Sequence, residues 1–190
     1  MERDIAIVLK NYYPARTRIT LLDQSVGHID CWSDRYDLPV GTLIAYHQRV
    51  HIDRYSAQSI ELMALPPCTC LPDLVFVHQV LEICYRFSPP HCAAPDLFAL
   101  ISILYQEDTF SRLHNSLLKK IFLCKIFVML GVWPLGEKFQ SPFFYRLATE
   151  SIDNLLEQPI QLKYEHDLEG WVHGCIAMHP RASDFKAWKV

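Results

Sequence analysis

The sequence predicts an α+β chain in which a small β-barrel is followed by an α-helical bundle. Near the N-terminus, apolar and polar residues alternate with a period of about two, in short runs separated by turn residues. After the proline-rich segment LPPCTCLPD, residues 65–73, the apolar residues recur at helical spacing instead. These two patterns place a domain boundary in this segment, with a barrel over residues 1–66 and a helical domain over residues 67–190.

The barrel is predicted from five runs of β-type residues, each bounded by turn signals. The runs cover residues 5–10, 18–23, 26–32, 42–52 and 59–65. Alternation is clearest in TRITLLD and in LIAYHQRVHI. Five short strands in about sixty residues favour the five-stranded oligonucleotide/oligosaccharide-binding (OB) fold, with an SH3-like barrel as the structural alternative.

Helices are predicted from the spacing of apolar residues after the boundary. PDLVFVHQVLEICYRF and APDLFALISILYQED carry the first two helical stripes. A long central helix is predicted over residues 112–130, ending at Gly131. SPFFYRLATESIDNLLEQ predicts one helix that starts at Pro142 behind an N-cap at Ser141. The last helix is predicted over residues 167–178.

Composition limits the classes of function. The 190-residue chain is 51% hydrophobic, and its 18 Lys and Arg against 21 Asp and Glu give a net charge of −3. Any contact with a polyanion must therefore be local, because no global positive field draws the protein toward nucleic acid. The charged start and the lack of an apolar run of ~20 residues predict a cytoplasmic protein with no membrane contact. The seven scattered cysteines are interpreted as reduced thiols, and the isolated CTC pair is a poor zinc motif.

A candidate DNA-binding cluster lies between the first two predicted strands, in KNYYPARTR. A single strand is bound by cations that contact phosphates and by aromatic faces on which bases stack. The cluster offers both and contains no acid, and a second, weaker set lies along the fourth predicted strand. The candidate residues are Lys10, Tyr12, Tyr13, Arg16 and Arg18 in the first set, and Tyr46, His47, Arg49, His51, Arg54 and Tyr55 in the second, of which Arg49 and Arg54 are the candidate phosphate contacts. The alternative is that the tyrosines cover the end of the barrel and the arginines are solvated.

A candidate partner-binding ridge lies on the predicted central helix. At 100° per residue, Arg112, Ser116, Lys119 and Lys120 fall within one half of the helix circumference. Such a basic ridge beside apolar groups would hold an acidic peptide. The alternative is that these residues form an ordinary solvated helix face.

Enzymatic activity is not expected. The sequence contains no HExxH, GxxxxGK or GxSxG pattern. His166, Glu169 and His173 have ligand-like spacing on a helix, but nine histidines make such coincidences common. We therefore expect no catalytic residues, no metal site and no cofactor.

The order of elements and several segments resemble the RecO family of bacterial recombination mediators. The segments are IVLKNYYPARTRITLLDQSVGHI, KIFLCKIFVMLGVWP and WVHGCIAMHPRASDFKAWKV. The resemblance covers almost the whole chain and implies an OB barrel followed by a helical domain. It implies binding of single- and double-stranded DNA, strand annealing, contact with the tail of single-strand-binding protein and with a RecR partner, and help in loading RecA onto DNA.

Two segments depart from the pattern of that family. Where RecO proteins commonly carry a basic stretch, this chain has CWSDRYDLPVG, in which Arg35 lies between Asp34 and Asp37. Where many members insert a cysteine-rich zinc module, VWPLGEKFQ holds no cysteine, so a trimmed member without zinc is expected. The sequence thus leaves two hypotheses: a RecO-like mediator that binds single-stranded DNA, or a RecO-like scaffold that has lost DNA binding and serves as a protein-interaction module.

Overall fold

The computed structural model describes residues 3–14, 17–35, 37–51, 54–113, 115–157 and 164–185. The chain forms two compact units, residues 1–107 and 108–190. The first unit contains the barrel and also the first two helices, because helix α1 packs on strands β1 and β2. The last strand ends at Ala64 and the first helix begins at Leu71, so the change from strands to helices falls in the proline-rich segment.

Five strands close into a barrel in the first unit, as the sequence predicts. They are β1 (Asp4–Asn11), β2 (Arg18–Asp23), β3 (Gly27–Ser33), β4 (Leu43–His51) and β5 (Arg54–Ala64). The strand order is β1-β2-β3-β5-β4, and β4 pairs with β1 to close the ring. All pairings are antiparallel except that of β3 with β5. This is the OB-fold arrangement, and the prediction of an OB barrel followed by helices is confirmed.

Alternating side chains of the strands fill the barrel. One buried cluster includes Val8, Ile19, Leu21 and Ile29, all 1% exposed or less. Tyr46 lies inside the barrel, where its hydroxyl donates a hydrogen bond to Asp23 at 2.8 Å. Burial raises the pKa of Tyr46, and the Asp23 carboxylate raises it further. Of the outward positions on β2 and β3, Arg18, Asp30 and Trp32 remain accessible, whereas Thr20 and Leu22 are buried.

Strand β5 is longer than the sequence predicts. It begins at Arg54 rather than at residue 59, and its first residues pair with two neighbours at once. Tyr55 pairs with Val50 of β4 on one side and with Cys31 of β3 on the other. The prediction failed because these first residues lack the alternation of a half-buried strand, and their pairing is non-local.

Seven α-helices lie in the described part of the chain. They are α1 (Leu71–Phe87), α2 (Pro95–Ser102), α3 (Glu107–Arg112), α4 (Ser116–Met129), α5 (Pro142–Thr149), α6 (Ile152–Glu157) and α7 (Glu165–Ala177). Pro142 is the first residue of α5 as predicted, but the Ser141 side chain makes no capping hydrogen bond.

The prediction of one long helix over residues 112–130 is wrong. The segment is divided between α3 and α4, and Asn115 forms the N-cap of α4 by accepting a hydrogen bond from the backbone N–H of Leu117 at 2.8 Å. Arg112 and Ser116 therefore lie on different helices.

The prediction of one helix after Ser141 is also wrong, because α5 ends before α6 begins. Lys125 of α4 is buried, and its ammonium donates to the backbone carbonyls of Leu147, Ala148 and Glu150 at 3.1, 3.1 and 2.6 Å. The last carbonyls of a helix have no partner within the helix, so a cation at this end satisfies them. Burial lowers the pKa of Lys125.

Candidate nucleic-acid interface

A groove of about 270 Å³ opens on the outer surface of the barrel, where β2, β3 and β5 meet. Its lining combines two cations, one carboxylate and two aromatic rings. The lining residues are Arg18, Asp30, Cys31, Trp32, Arg54 and Tyr55. The face formed by the second and third strands is the surface that OB folds use to bind oligonucleotides and oligosaccharides.

The pairing of β2 with β3 sets the floor of this groove. Arg18 lies opposite Trp32, and Thr20 lies opposite Asp30. Because side chains on a strand alternate between the two faces of a sheet, these four residues point to the same, outer face. Trp32 is 47% exposed there. A large aromatic ring that remains this exposed next to an arginine offers a surface on which a base can stack.

Arg18 and Asp30 form an ion pair on the floor of the groove. The Arg18 guanidinium lies 2.6 Å from Oδ2 of Asp30, and the Thr20 hydroxyl donates to Oδ1 of Asp30 at 2.5 Å. The side chains of Arg18 and Asp30 are 38% and 40% exposed, so both remain accessible to a ligand. Thr20 is completely buried and holds the carboxylate in place from below.

The far wall of the groove comes from β5 and is supported by the loop after α1. Tyr55 stacks on His91 of that loop, with the ring centroids 5.2 Å apart. The loop is attached to the start of β3, because the N–H of His91 donates to the carbonyl of His28 at 2.9 Å.

Gly27 allows this close attachment of the loop. Its φ is +82°, and a Cβ atom added there would lie 1.8 Å from the carbonyl oxygen of Cys92. Only glycine fits both the backbone conformation and the space. Gly27 therefore determines how closely the loop that carries His91 approaches the barrel.

Two residues of the predicted DNA-binding cluster, Lys10 and Tyr12, contact helix α1 within the first unit. The Lys10 ammonium lies 3.3 Å from the hydroxyl of Tyr85 on α1, and it sits over the rings of Tyr12 and Tyr85 at 5.0 and 4.6 Å from their centroids. The Tyr12 and Tyr85 hydroxyls are 3.1 Å apart. Tyr13 is 56% exposed beside them. Lys10 and Tyr12 thus join β1 and the segment after it to α1.

The two tyrosines of this contact have opposite pKa shifts. Burial raises the pKa of Tyr12. Burial also acts to raise the pKa of Tyr85, but the hydrogen bonds from Tyr12 and Lys10 outweigh it, so the pKa of Tyr85 is lowered. A nearby ammonium stabilises the phenolate, which explains the sign.

The remaining predicted DNA-binding residues have different positions. Arg16 lies outside the described residues. Arg49 is exposed on β4, opposite Ser56 of β5. Arg18 and Arg54 both line the groove. The structure therefore brings together Arg18 from the first predicted set and Arg54 from the second.

Sequence reasoning included Tyr55 in the second, weaker set but missed Trp32 and Asp30 as groove residues. The signal that could have found them is the alternation in GHIDCWS, where His28, Asp30 and Trp32 share one face of β3. An exposed tryptophan on the face opposite the core would then have stood out.

The acidic segment after β3 contacts its own arginine and strand β5. Arg35 forms two hydrogen bonds with the Asp37 carboxylate, at 2.6 and 3.1 Å. The N–H of Ser59 donates to Asp34 at 2.9 Å. Neither aspartate is among the residues that line the groove.

The predicted partner-binding ridge lies in the second unit, where α4 packs against α7. Lys120 is only 9% exposed and pairs with Glu165 and Glu169 at 3.2 and 3.4 Å. The hydroxyl of Ser116 lies 3.3 Å from the same Glu165 carboxylate. Of the other two ridge residues, Arg112 is exposed on α3 and Lys119 is half-buried on α4. Lys120 therefore holds α7 and is not free on an open surface, whereas Ser116 remains exposed beside the same carboxylate.

Within the described residues, no three His, Cys, Asp or Glu side chains come together as metal ligands would. In the same part of the chain, no helix has both the length and the apolar character needed to cross a membrane.

The fold and the groove define an OB-fold protein with an attached helical unit and an open aromatic and cationic surface on its barrel. No model of a known protein family and no curated protein matches the chain.

Proposed function

We propose that this chain is a RecO-like mediator of DNA repair and recombination that binds single-stranded DNA in the groove of its barrel. The observation that carries the proposal is the exposed ring of Trp32, which lines the same groove as Arg18 and Arg54. A base stacked on such a ring contributes ~1–3 kcal/mol, and in this proposal the two arginines contact phosphates of the bound strand. In this proposal the helical unit contacts protein partners, a single-strand-binding protein tail and a RecR-like protein, to promote annealing and RecA loading.

The test is a titration of a fluorescein-labelled oligothymidylate of about 16 nucleotides, near the upper length that one OB fold covers. Binding is followed by fluorescence anisotropy between about 50 and 200 mM salt, because phosphate contacts weaken as salt rises. Trp32→Ala is expected to weaken binding about 5- to 150-fold, the range that corresponds to the loss of one stacked base. Arg54→Ala is expected to reduce the slope of log K against log salt by about 0.7, the value for one phosphate contact on a single strand.

Arg146→Ala is the matched control, since Arg146 is an exposed arginine of the helical unit, paired with Glu150. It removes the same charge without touching the groove, so its affinity should equal that of the unchanged protein. The proposal fails if the protein does not bind at the lowest salt, or if Trp32→Ala binds as well as the control.

The second candidate is the scaffold that acts through protein partners alone. It is favoured by an apolar surface at the start of α1, where Leu71, Leu74 and Val75 lie at helical spacing and are 71%, 45% and 41% exposed. Complete loss of DNA binding at low salt, with the fold intact by circular dichroism, would select this candidate.

A further inference from the structure

We propose that the groove prefers guanine, and that Asp30 reads the base; this inference rests on the proposed binding of single-stranded DNA. A carboxylate repels phosphate, so an accessible one in a groove that binds DNA would contact a base rather than the backbone. Asp30 is 40% exposed and lines the groove beside Trp32. The partner that fits is the edge of a base that donates hydrogen bonds.

The Asp30 carboxylate is held in position and retains accepting capacity. One oxygen accepts from Thr20 and the other pairs with Arg18. An ionised carboxylate has about four accepting positions, so about two remain for a ligand. The contacts from Thr20 and Arg18 fix its orientation before a base arrives, which reduces the entropy lost on binding.

Asp30 is also at the right distance from the stacking surface. It precedes Trp32 by two positions on β3, so both side chains leave the same face of the sheet, roughly 6.6 Å apart along the strand. A base lying flat on the Trp32 ring therefore extends its edge toward Asp30.

Guanine is the base whose edge matches a carboxylate best. Its N1–H and N2–H donors are adjacent and parallel, so they can donate to both carboxylate oxygens at once. The amino groups of cytosine and adenine each stand beside a ring nitrogen that accepts, and the N3–H of thymine stands between two carbonyl oxygens. In these three bases one carboxylate oxygen would face another acceptor. Guanine instead presents a donor to each of the two carboxylate oxygens.

The experiment compares oligothymidylates in which a few separated positions carry dG, dI, dA or dC. Separating the guanines prevents strand association, and dI differs from dG only by lacking the N2 amino group. Competition against the labelled oligothymidylate gives the relative affinities. We expect the dG strand to bind at least about fivefold more tightly than the all-thymine strand, the lower limit of discrimination by a bidentate base contact. The dI strand should lose most of that gain.

Asp30→Asn is the protein variant for the same comparison. It keeps the shape of the side chain, but its amide presents a donor where guanine needs an acceptor, so the preference for dG over thymine should fall toward one. Comparison of dG with dI on the unchanged protein does not depend on whether this variant folds.

The outcomes separate the inference from the proposed function. Salt-sensitive binding of equal strength to all strands overturns the guanine preference and leaves the proposed function standing. Preference for dC or dA over dG also overturns it. Failure to bind any strand overturns the proposed function and the inference with it. Preference for dG that is lost with dI and with Asp30→Asn supports both.

Discussion

Replacing Gly27 with alanine tests whether the loop after α1 is an integral part of the barrel. The substitution adds one methyl group at the start of β3, where φ is +82°. The new Cβ would lie 1.8 Å from the carbonyl oxygen of Cys92 and 2.7 Å from its carbonyl carbon. Both atoms belong to the backbone, so relief requires that the loop moves away by about 1 Å or more.

The expected cost is the sum of two effects. A non-glycine residue in this left-handed region loses about 1–2 kcal/mol. Moving the loop also breaks the hydrogen bond from the His91 N–H to the His28 carbonyl, and with it the contact between the His28 ring and the Ser88 carbonyl, 2.8 Å apart. Each such bond contributes about 0.5–1.5 kcal/mol, so we expect a total loss of about 3 kcal/mol in the free energy of unfolding.

Gly41→Ala is the control in the same compact unit. The φ of Gly41 is +84°, nearly that of Gly27, but the Cβ would meet side-chain methyl groups and no backbone, Leu81 at 3.1 Å and Val77 at 4.0 Å. Leu81 can adjust by a small rotation, so the loss should stay at about 1–2 kcal/mol.

Urea unfolding measures both losses, and hydrogen exchange supplies a local readout. In Gly27→Ala the amide proton of His91 should exchange faster, whereas in Gly41→Ala it should retain its protection. Equal losses of stability in the two variants, with unchanged exchange at His91, would refute the idea that contact between the loop and Gly27 holds the loop in place.

Two further predictions concern the buried ammonium group of Lys125 and the lowered pKa of Tyr85. Lys125→Met should lower the free energy of unfolding by about 2–4 kcal/mol, because hydrogen bonds to a charged group are strong and three carbonyls lose their donor; a thermal unfolding midpoint equal to that of the unchanged protein would contradict this. Tyr85 has a lowered pKa in the folded state, so its ionisation should contribute stability that grows as the pH rises through that pKa toward the unfolded value of about 10 and that is lost as the pH falls again. Tyr85→Phe should lack both this gain and the earliest part of the phenolate absorbance change, and an unaltered titration curve would show that another tyrosine ionises first.

Periodicity in the sequence predicted the elements whose structure is decided by local burial. Four of the five strands begin within one residue of the predicted start, and the last helix, α7, begins two residues before its prediction. The breaks after Arg112 and Thr149 were missed because side-chain hydrogen bonds at the helix ends do not show in the spacing of apolar residues. Asn115 caps one helix, and Lys125 satisfies the end of another from a distant position in the chain.

The candidate site was only partly predictable for a similar reason. Arg18 and Arg54 were found because charge is visible in a sequence. The engagement of Lys10 was not, since its partner Tyr85 is 75 positions away and comes from a helix. Trp32 was overlooked because an aromatic residue in a strand usually belongs to a core, although the alternation along β3 places it on the outer face, opposite Arg18 of β2.

The parallel pairing of β3 with β5 is a junction in the barrel. Its closure creates the groove, so closure of the junction and binding of a ligand in the groove are linked. Three residue pairs form the junction, fewer than in any other strand pairing of the barrel, and the two strands are separated in the chain by the whole of β4. Closing this loop has an entropic cost, so we expect the junction to form late in folding. Trp32 and Tyr55 come from opposite sides of it, so the groove exists only when the junction is closed. Under the proposed function, a bound strand that touches both sides therefore slows local opening, and the lifetime of the protein against proteolysis becomes a measure of how much single-stranded DNA it holds.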